Sequence, residues 1–144
     1  MSDLSKLLDA STRSKLVEDL TQLTETTVAN QSGLTGMALK SAIAAGKKAD
    51  ADAVSKGLNK FLPDLVESLN PHWNAFKASG QQDFGGFLAA NEDSVIDSVL
   101  KAGDTAIESM PSALKKVYST LRGKAKKIVS PALPDLGRVV EKYA

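Results

Sequence analysis

Acid–base or metal chemistry in this 144-residue chain would have to start from a single histidine. It is His72, in Asn70-Pro71-His72-Trp73. Histidine changes charge near neutral pH, which suits it to proton transfer and metal binding. A metal site needs at least two further ligands, and no HExxH or EF-hand pattern supplies them. His72 is expected to be a first-turn helix residue with ordinary packing. Carboxylates form a second candidate group. Asp93, Asp97, Asp104 and Glu108 recur at intervals of four, seven and four, which puts them on one helix face. Carboxylate metal sites on helices add histidine or oxygens from a second element, and none is identifiable. A solvated face is the better reading. Gly33-Leu34-Thr35-Gly36 has the spacing of a short anion-binding turn before a helix. It lacks the preceding strand and the Lys-Ser/Thr of a P-loop, so it reads as a helix stop followed by a helix start. No Gly-x-Ser-x-Gly elbow occurs. With no cysteine, thiol catalysis, disulfides and cysteine-based zinc or iron–sulfur sites are excluded. The expectation is a protein that is not an enzyme, with no catalytic residue, cofactor or metal.

Charge is the feature that remains. The chain has 18 Lys and Arg against 17 Asp and Glu, a formal net charge of +1. That balance conceals a segment. The stretch 113–129 carries Lys115, Lys116, Arg122, Lys124, Lys126 and Lys127 and no acid. The remainder holds 12 cations and 17 acids, a deficit of five. Three explanations compete. The acidic helix near 91–109 precedes the basic one, and a turn at Pro111 would make them antiparallel neighbours with facing charges. This comes first, because a basic helix is usually a solvated face. Phosphate contacts to nucleic acid are the second, although no recognised binding motif accompanies them. An anionic membrane surface is the third.

These residues need elements to place them, and the composition favours helices. The chain has 19 Ala and 18 Leu against 10 Val and 4 Ile. Ala and Leu lose less side-chain freedom in a helix than β-branched residues do. No period-two alternation and no Asn-Gly or Asp-Gly hairpin signal appears. The reading is all-α: one compact domain, 1–144, of about seven helices.

An entry helix spans 3–9. Ser11 caps a helix over 12–29 with Leu16, Val17, Leu20, Leu23 and Val28 on one arc. Residues 34–45 are apolar or small on nearly every side, which predicts a buried, Ala-rich central helix. Gly46 with Lys47-Lys48 ends it. Val54, Leu58, Phe61, Leu62, Leu65, Val66 and Leu69 form one face, interrupted at Pro63, so two short helices or one kinked helix are expected. Asn70 then caps a new helix with Pro71 in its first position. Ser79 to Gln82 is a loop, Asp83 caps a short helix, and Asn91 starts a longer one in which Gly103 bends or frays. Residues 112–129 form the clearest amphipathic helix, with Leu114, Val117, Tyr118, Leu121, Ala125, Ile128 and Val129 on its arc. Ser130-Pro131 leads into a last helix with Leu133, Leu136, Val139, Val140 and Tyr143.

No apolar run approaches the ~20 residues needed to span a bilayer. The N-terminus lacks the pattern of a secretory signal, and a cytoplasmic location is expected. Several stretches resemble a family of short, about 140-residue, actinobacterial proteins of uncharacterised function. They are Met1-Ser2-Asp3-Leu4-Ser5, Asp83-Phe84-Gly85, Leu121-Arg122-Gly123-Lys124-Ala125-Lys126 and Ala132-Leu133-Pro134-Asp135-Leu136-Gly137. The resemblance implies a bacterial, cytoplasmic, all-helical protein and brings no catalytic or ligand-binding residue.

Three functions follow. The first is a non-enzymatic helical domain acting by protein–protein or self-association. The second is a binder of an apolar ligand or lipid, held near Trp73, Phe76, Phe84 and Phe87, since helical bundles can enclose such cavities. The third is nucleic-acid or anionic-membrane binding through the basic helix.

Overall fold

The computed structural model describes residues 4–31, 33–49, 52–110 and 112–144. Pro111 and the side chains of Thr35, Ala42, Ala45, Leu114, Val117 and Leu121, to which the sequence assigns roles, lie outside the described residues, whereas the stop expected at Gly46 does not occur, since the helix there runs on to Ala49. Among those described there is no strand. A 3₁₀ turn at Ser5–Leu8 leads into α1 (Ala10–Ala29), α2 (Gly33–Ala49) and α3 (Ala53–Ser79). Then follow α4 (Phe84–Ala90), α5 (Glu92–Ala106), α6 (Ser112–Gly123), α7 (Ala125–Val129) and α8 (Leu133–Tyr143).

The long helix α3 is the axis of the fold. It packs on α1, α2 and α5. Leu62, Leu65, Val66, Leu69, Trp73 and Phe76 recur at helical spacing and are all buried. Pro63 and Pro71 both lie inside this one continuous helix. The expected break at Pro63 and fresh start at Asn70 do not occur. Each proline removes one amide donor, but both sit on the exposed side of a helix whose other face is held by that apolar row. Asn70 serves a different helix end: its Oδ1 accepts the Leu4 amide at 3.0 Å, fastening the entry turn. Leu4 and Leu7 are consequently buried. Asp9, rather than Ser11, precedes the first residue of α1.

α4 and α8 meet at two glycines. A Cβ on Gly137 would lie 2.3 Å from the Gly85 Cα, and one on Gly85 would lie 2.3 Å from the Pro134 carbonyl oxygen. Only hydrogen at both positions lets the backbones approach this closely. The approach seals Phe84, Leu88 and Leu133 from solvent. Two of the motifs noted above, Asp83-Phe84-Gly85 and Leu133-Pro134-Asp135-Leu136-Gly137, are therefore two sides of one helix crossing.

The helix expected to be central lies at the edge. Leu34 is 86% and Met37 67% exposed on α2, and Ala38 and Ala44 also face solvent. Leu39 is the large side chain of α2 that is fully buried. A wheel with apolar residues all round does not specify burial when half of them, four of eight over 34–45, are alanine. Alanine exposes little area, so leaving it in water costs little. The single amphipathic helix over 112–129 is also two helices. The chain turns at Lys124 (φ −127°, ψ 25°) between α6 and α7.

Candidate functional site

The apolar core comes in two pieces. The larger joins the entry turn, α1, α3, α4, α5, α8 and, through Ala125, α7, and the smaller is Val28, Leu39 and Ile128 with Ile43 against it. Between them lies a cavity of about 260 Å³. α3 lines it with Val54, Leu58 and Phe61, spaced by four and three along one face. α5 lines it with Ile96, Val99, Leu100, Gly103 and Ala106. Thr24 of α1, Ile43 of α2, Tyr118 of α6 and Val129 of α7 complete the wall, with Met110 following α5. Small residues, Gly57 and Ala106, also face the space.

The hydroxyl groups in the wall are engaged within the protein. Thr24 Oγ1 donates to the Leu20 carbonyl at 2.8 Å. The Tyr118 hydroxyl lies 3.0 Å from the Leu100 carbonyl oxygen and in hydrogen-bond contact with the Asp104 carboxylate. Its ring occupies the space a Cβ on Gly103 would take, 2.6 Å from one ring carbon. Gly103 thus neither bends nor frays α5 but admits Tyr118. Burial, then the Asp104 charge, pushes the Tyr118 hydroxyl well above the usual phenol range. In return the Tyr118 hydrogen bond, helped by Arg122, holds the Asp104 carboxyl below the usual carboxylate range. Such a wall offers a ligand hydrocarbon contact and little that is polar.

The aromatic residues expected to hold an apolar ligand do something else. Trp73 and Phe84 meet edge to face at 4.9 Å, Phe76 and Phe84 lie 5.2 Å apart, and Phe76 and Phe87 5.7 Å. The four rings fill their own space, and none of them lines the cavity. The sequence brings aromatic residues together correctly but cannot separate a packed cluster from a lined hole.

His72 sits within α3 rather than in a first turn, half-buried against α5. Its Nε2 is 2.9 Å from Ser98 Oγ, and Ser98 Oγ donates to the Ser94 carbonyl at 3.0 Å. With the serine proton engaged there, Nε2 is the donor to Ser98. Burial pushes the His72 pKa below its ordinary value, so the ring is neutral at pH 7.

The acidic and basic helices do face one another in part. Arg122 pairs with Asp104 at 2.8 Å and Lys126 with Asp93 at 3.0 Å. Lys101 pairs with Asp97 within α5 at 3.1 Å. Ser130 Oγ donates to Glu92. Lys116 is exposed and is engaged as well. Lys115, Lys124 and Lys127 are exposed with no ion-pair partner among the described residues. Among these residues no group of three acidic or histidine side chains is placed to hold a metal ion. No described helix is long and apolar enough to cross a membrane.

No curated protein and no solved structure matches the sequence. One family model does, a family of unknown function (DUF6918), over residues 4–144. That span includes the α4–α8 crossing, the cavity and the basic helices alike. On a match that leaves out three N-terminal residues, the chain belongs to this family of unknown function.

Proposed function

We propose that the protein is a non-enzymatic binder of an apolar small molecule or acyl chain. The cavity of about 260 Å³ between the two core pieces carries this reading. An enclosed void of that size would cost roughly 6 kcal/mol at ~24 cal/mol per Å³. That is of the order of a domain's whole net stability, ~5–15 kcal/mol. To the extent that the cavity opens to solvent, its apolar wall meets water instead. A hydrocarbon ligand relieves either cost. The volume lies between the ~150 Å³ that accommodates benzene and the ~300–1,000 Å³ of drug-sized pockets. A short acyl chain or a compact two-ring hydrocarbon suits it. The engaged Thr24 and Tyr118 hydroxyls disfavour a ligand with a buried polar head. The neutral, Ser98-bound His72 supports a structural rather than a catalytic part for the one histidine. The resemblance of the motifs supports a bacterial, actinobacterial and cytoplasmic setting.

The test is native mass spectrometry of protein purified from its own host, with titration of an apolar fluorescent dye. Val99→Phe and Ala106→Leu fill the cavity from α5, and either should weaken the dye at least tenfold while far-UV circular dichroism stays unchanged. Unaltered dye affinity in both folded variants, with no retained ligand in the native protein, rejects the reading. Protein association is a second reading, favoured by the exposure of Leu34 and Met37 on α2. It predicts a dimer in light scattering that Leu34→Ser with Met37→Ser dissociates.

A further inference from the structure

We propose that α2, α6 and α7 together form a face that docks on an anionic lipid bilayer, from which the cavity receives its apolar ligand. The proposal rests on the cavity reading for what is delivered, but the docking surface stands on its own observations. Arg122 and Lys126 are engaged by the acidic helix α5, which leaves Lys115, Lys124 and Lys127 exposed and unpaired among the described residues. No acid lies anywhere in 112–134, so nothing on these two helices offsets that charge. The surface is complementary to anionic headgroups.

An apolar component is carried by α2, which packs on α6. Leu39 of α2 clusters with Ile128 of α7. Leu34 and Met37 point the other way: at 100° per residue they lie 140° and 200° round the helix from Leu39. They are the large apolar side chains that the described structure leaves exposed. Exposed lysines and exposed aliphatic side chains carried by packed helices are the two components that interfacial binding uses, with charge for approach and hydrocarbon for anchorage. Nucleic acid would draw on the lysines but has no use for Leu34 and Met37, and a protein partner would not need an acid-free surface. The same three helices wall the cavity, through Ile43, Tyr118 and Val129. Along α7, Lys127 is 200° from Val129, so one side of a five-residue helix meets the cavity and the other meets solvent. Docking there separates the bilayer from the cavity by one layer of helices.

The experiment is sedimentation of the full chain with vesicles of phosphatidylcholine alone and of phosphatidylcholine mixed with phosphatidylglycerol. Binding is expected to the mixed vesicles only, and to be lost in high salt. Each lysine near an anionic surface contributes about fivefold, so Lys115→Glu, Lys124→Glu and Lys127→Glu together should weaken it by at least about a hundredfold. Leu34→Ser with Met37→Ser should weaken it further at fixed salt. All five positions are exposed, and the salt titration of the unaltered protein tests the electrostatics even if a variant fails to fold. Dye binding in the absence of vesicles should be unchanged in the lysine variant. Failure of the cavity reading therefore shows in the dye, and failure of the docking face shows in the vesicles. Absence of binding to mixed vesicles, or binding indifferent to the lysine reversals, overturns the proposal. So does duplex DNA displacing the vesicles through the same lysines, or a dimer that the Leu34 and Met37 changes dissociate with vesicle binding intact.

Discussion

Gly137→Ala adds one carbon at the tightest helix crossing in the molecule and should destabilise it by about 2 kcal/mol. The new Cβ would stand 2.3 Å from the Gly85 Cα, 2.4 Å from its nitrogen and 2.8 Å from the Phe84 carbonyl carbon. Non-bonded carbons rest at ~3.5–4.0 Å, so α8 has to retreat from α4 by more than about 1 Å. No flexible side chain can yield in its place, because every atom met is backbone. The retreat reopens the contact that holds Phe84, Leu88 and Leu133 away from water. Overpacking of a core costs ~1–3 kcal/mol, and an unyielding backbone puts this site at about 3 kcal/mol. Alanine recovers up to ~1 kcal/mol as the better helix former. The net loss of about 2 kcal/mol corresponds to roughly 8 °C in Tm for a domain of this size.

Gly123→Ala supplies the matched control. The same atom added at the end of α6 meets nothing within 4 Å. There the reduced freedom of the unfolded chain should dominate and stabilise the protein by ~0.4–1 kcal/mol. Urea unfolding followed by circular dichroism and by Trp73 fluorescence reads both variants on one scale. Opposite signs are expected. Gly85→Ala should resemble Gly137→Ala, and the double variant should cost less than the sum, since both act on one crossing. A Gly137→Ala protein as stable as the parent would refute the close approach and, with it, the packing assigned to Phe84 and Leu133.

Other perturbations read other parts of the molecule. Because burial lowers the His72 pKa in the folded state, the unfolded chain takes up the proton first as pH falls. Stability should hold above pH ~6.5, decline as pH drops from there toward the folded pKa, and decline less in His72→Gln, as urea midpoints across pH 8 to 5 will report. Tyr118→Phe removes the largest influence lowering the Asp104 pKa, so NMR titration of that carboxyl should move upward toward its ordinary value. An apolar ligand at a hundred times its Kd should add ~2.7 kcal/mol of stability, seen as a rise in Tm that Val99→Phe abolishes.

How far the structure was legible depends on whether a feature is local. The apolar rows of α3 and α5 follow from spacing alone, because a helix repeats its faces whatever it packs against. The facing charges of the acidic and basic stretches were legible in part: Arg122 and Lys126 reach Asp104 and Asp93, but α6 packs along α2 rather than along α5. Local rules mislead where tertiary packing outweighs them. Pro63 and Pro71 are strong breakers in isolation, yet six buried side chains on the opposite face of α3 carry the helix through both. The Ala-rich α2 errs in the other direction, since small side chains make a wheel look apolar without making exposure expensive. Gly85 and Gly137 lie 52 residues apart, and nothing local says that they touch.

The cavity was not legible because it belongs to no residue. Val54, Leu58, Phe61, Ile96 and Val99 read as core and are core on one side; the hole exists because α2, α6 and α7 do not close on them fully. The same three helices also carry an exposed face. α3, α4 and α8 are fixed by aromatic rings and by a glycine crossing that tolerates no slack. The smaller core instead joins Leu39 of α2 and Ile128 of α7 to Val28 of α1, with Ile43 of α2 against it. The helices that wall the cavity on this side also carry Lys115, Lys124 and Lys127 and leave Leu34 and Met37 in solvent. Opening α4 from α8 would expose Phe84 and Leu133, and displacing α2 would expose Leu39 together with Val28 and Ile128, so a ligand's entry by either route uncovers buried core.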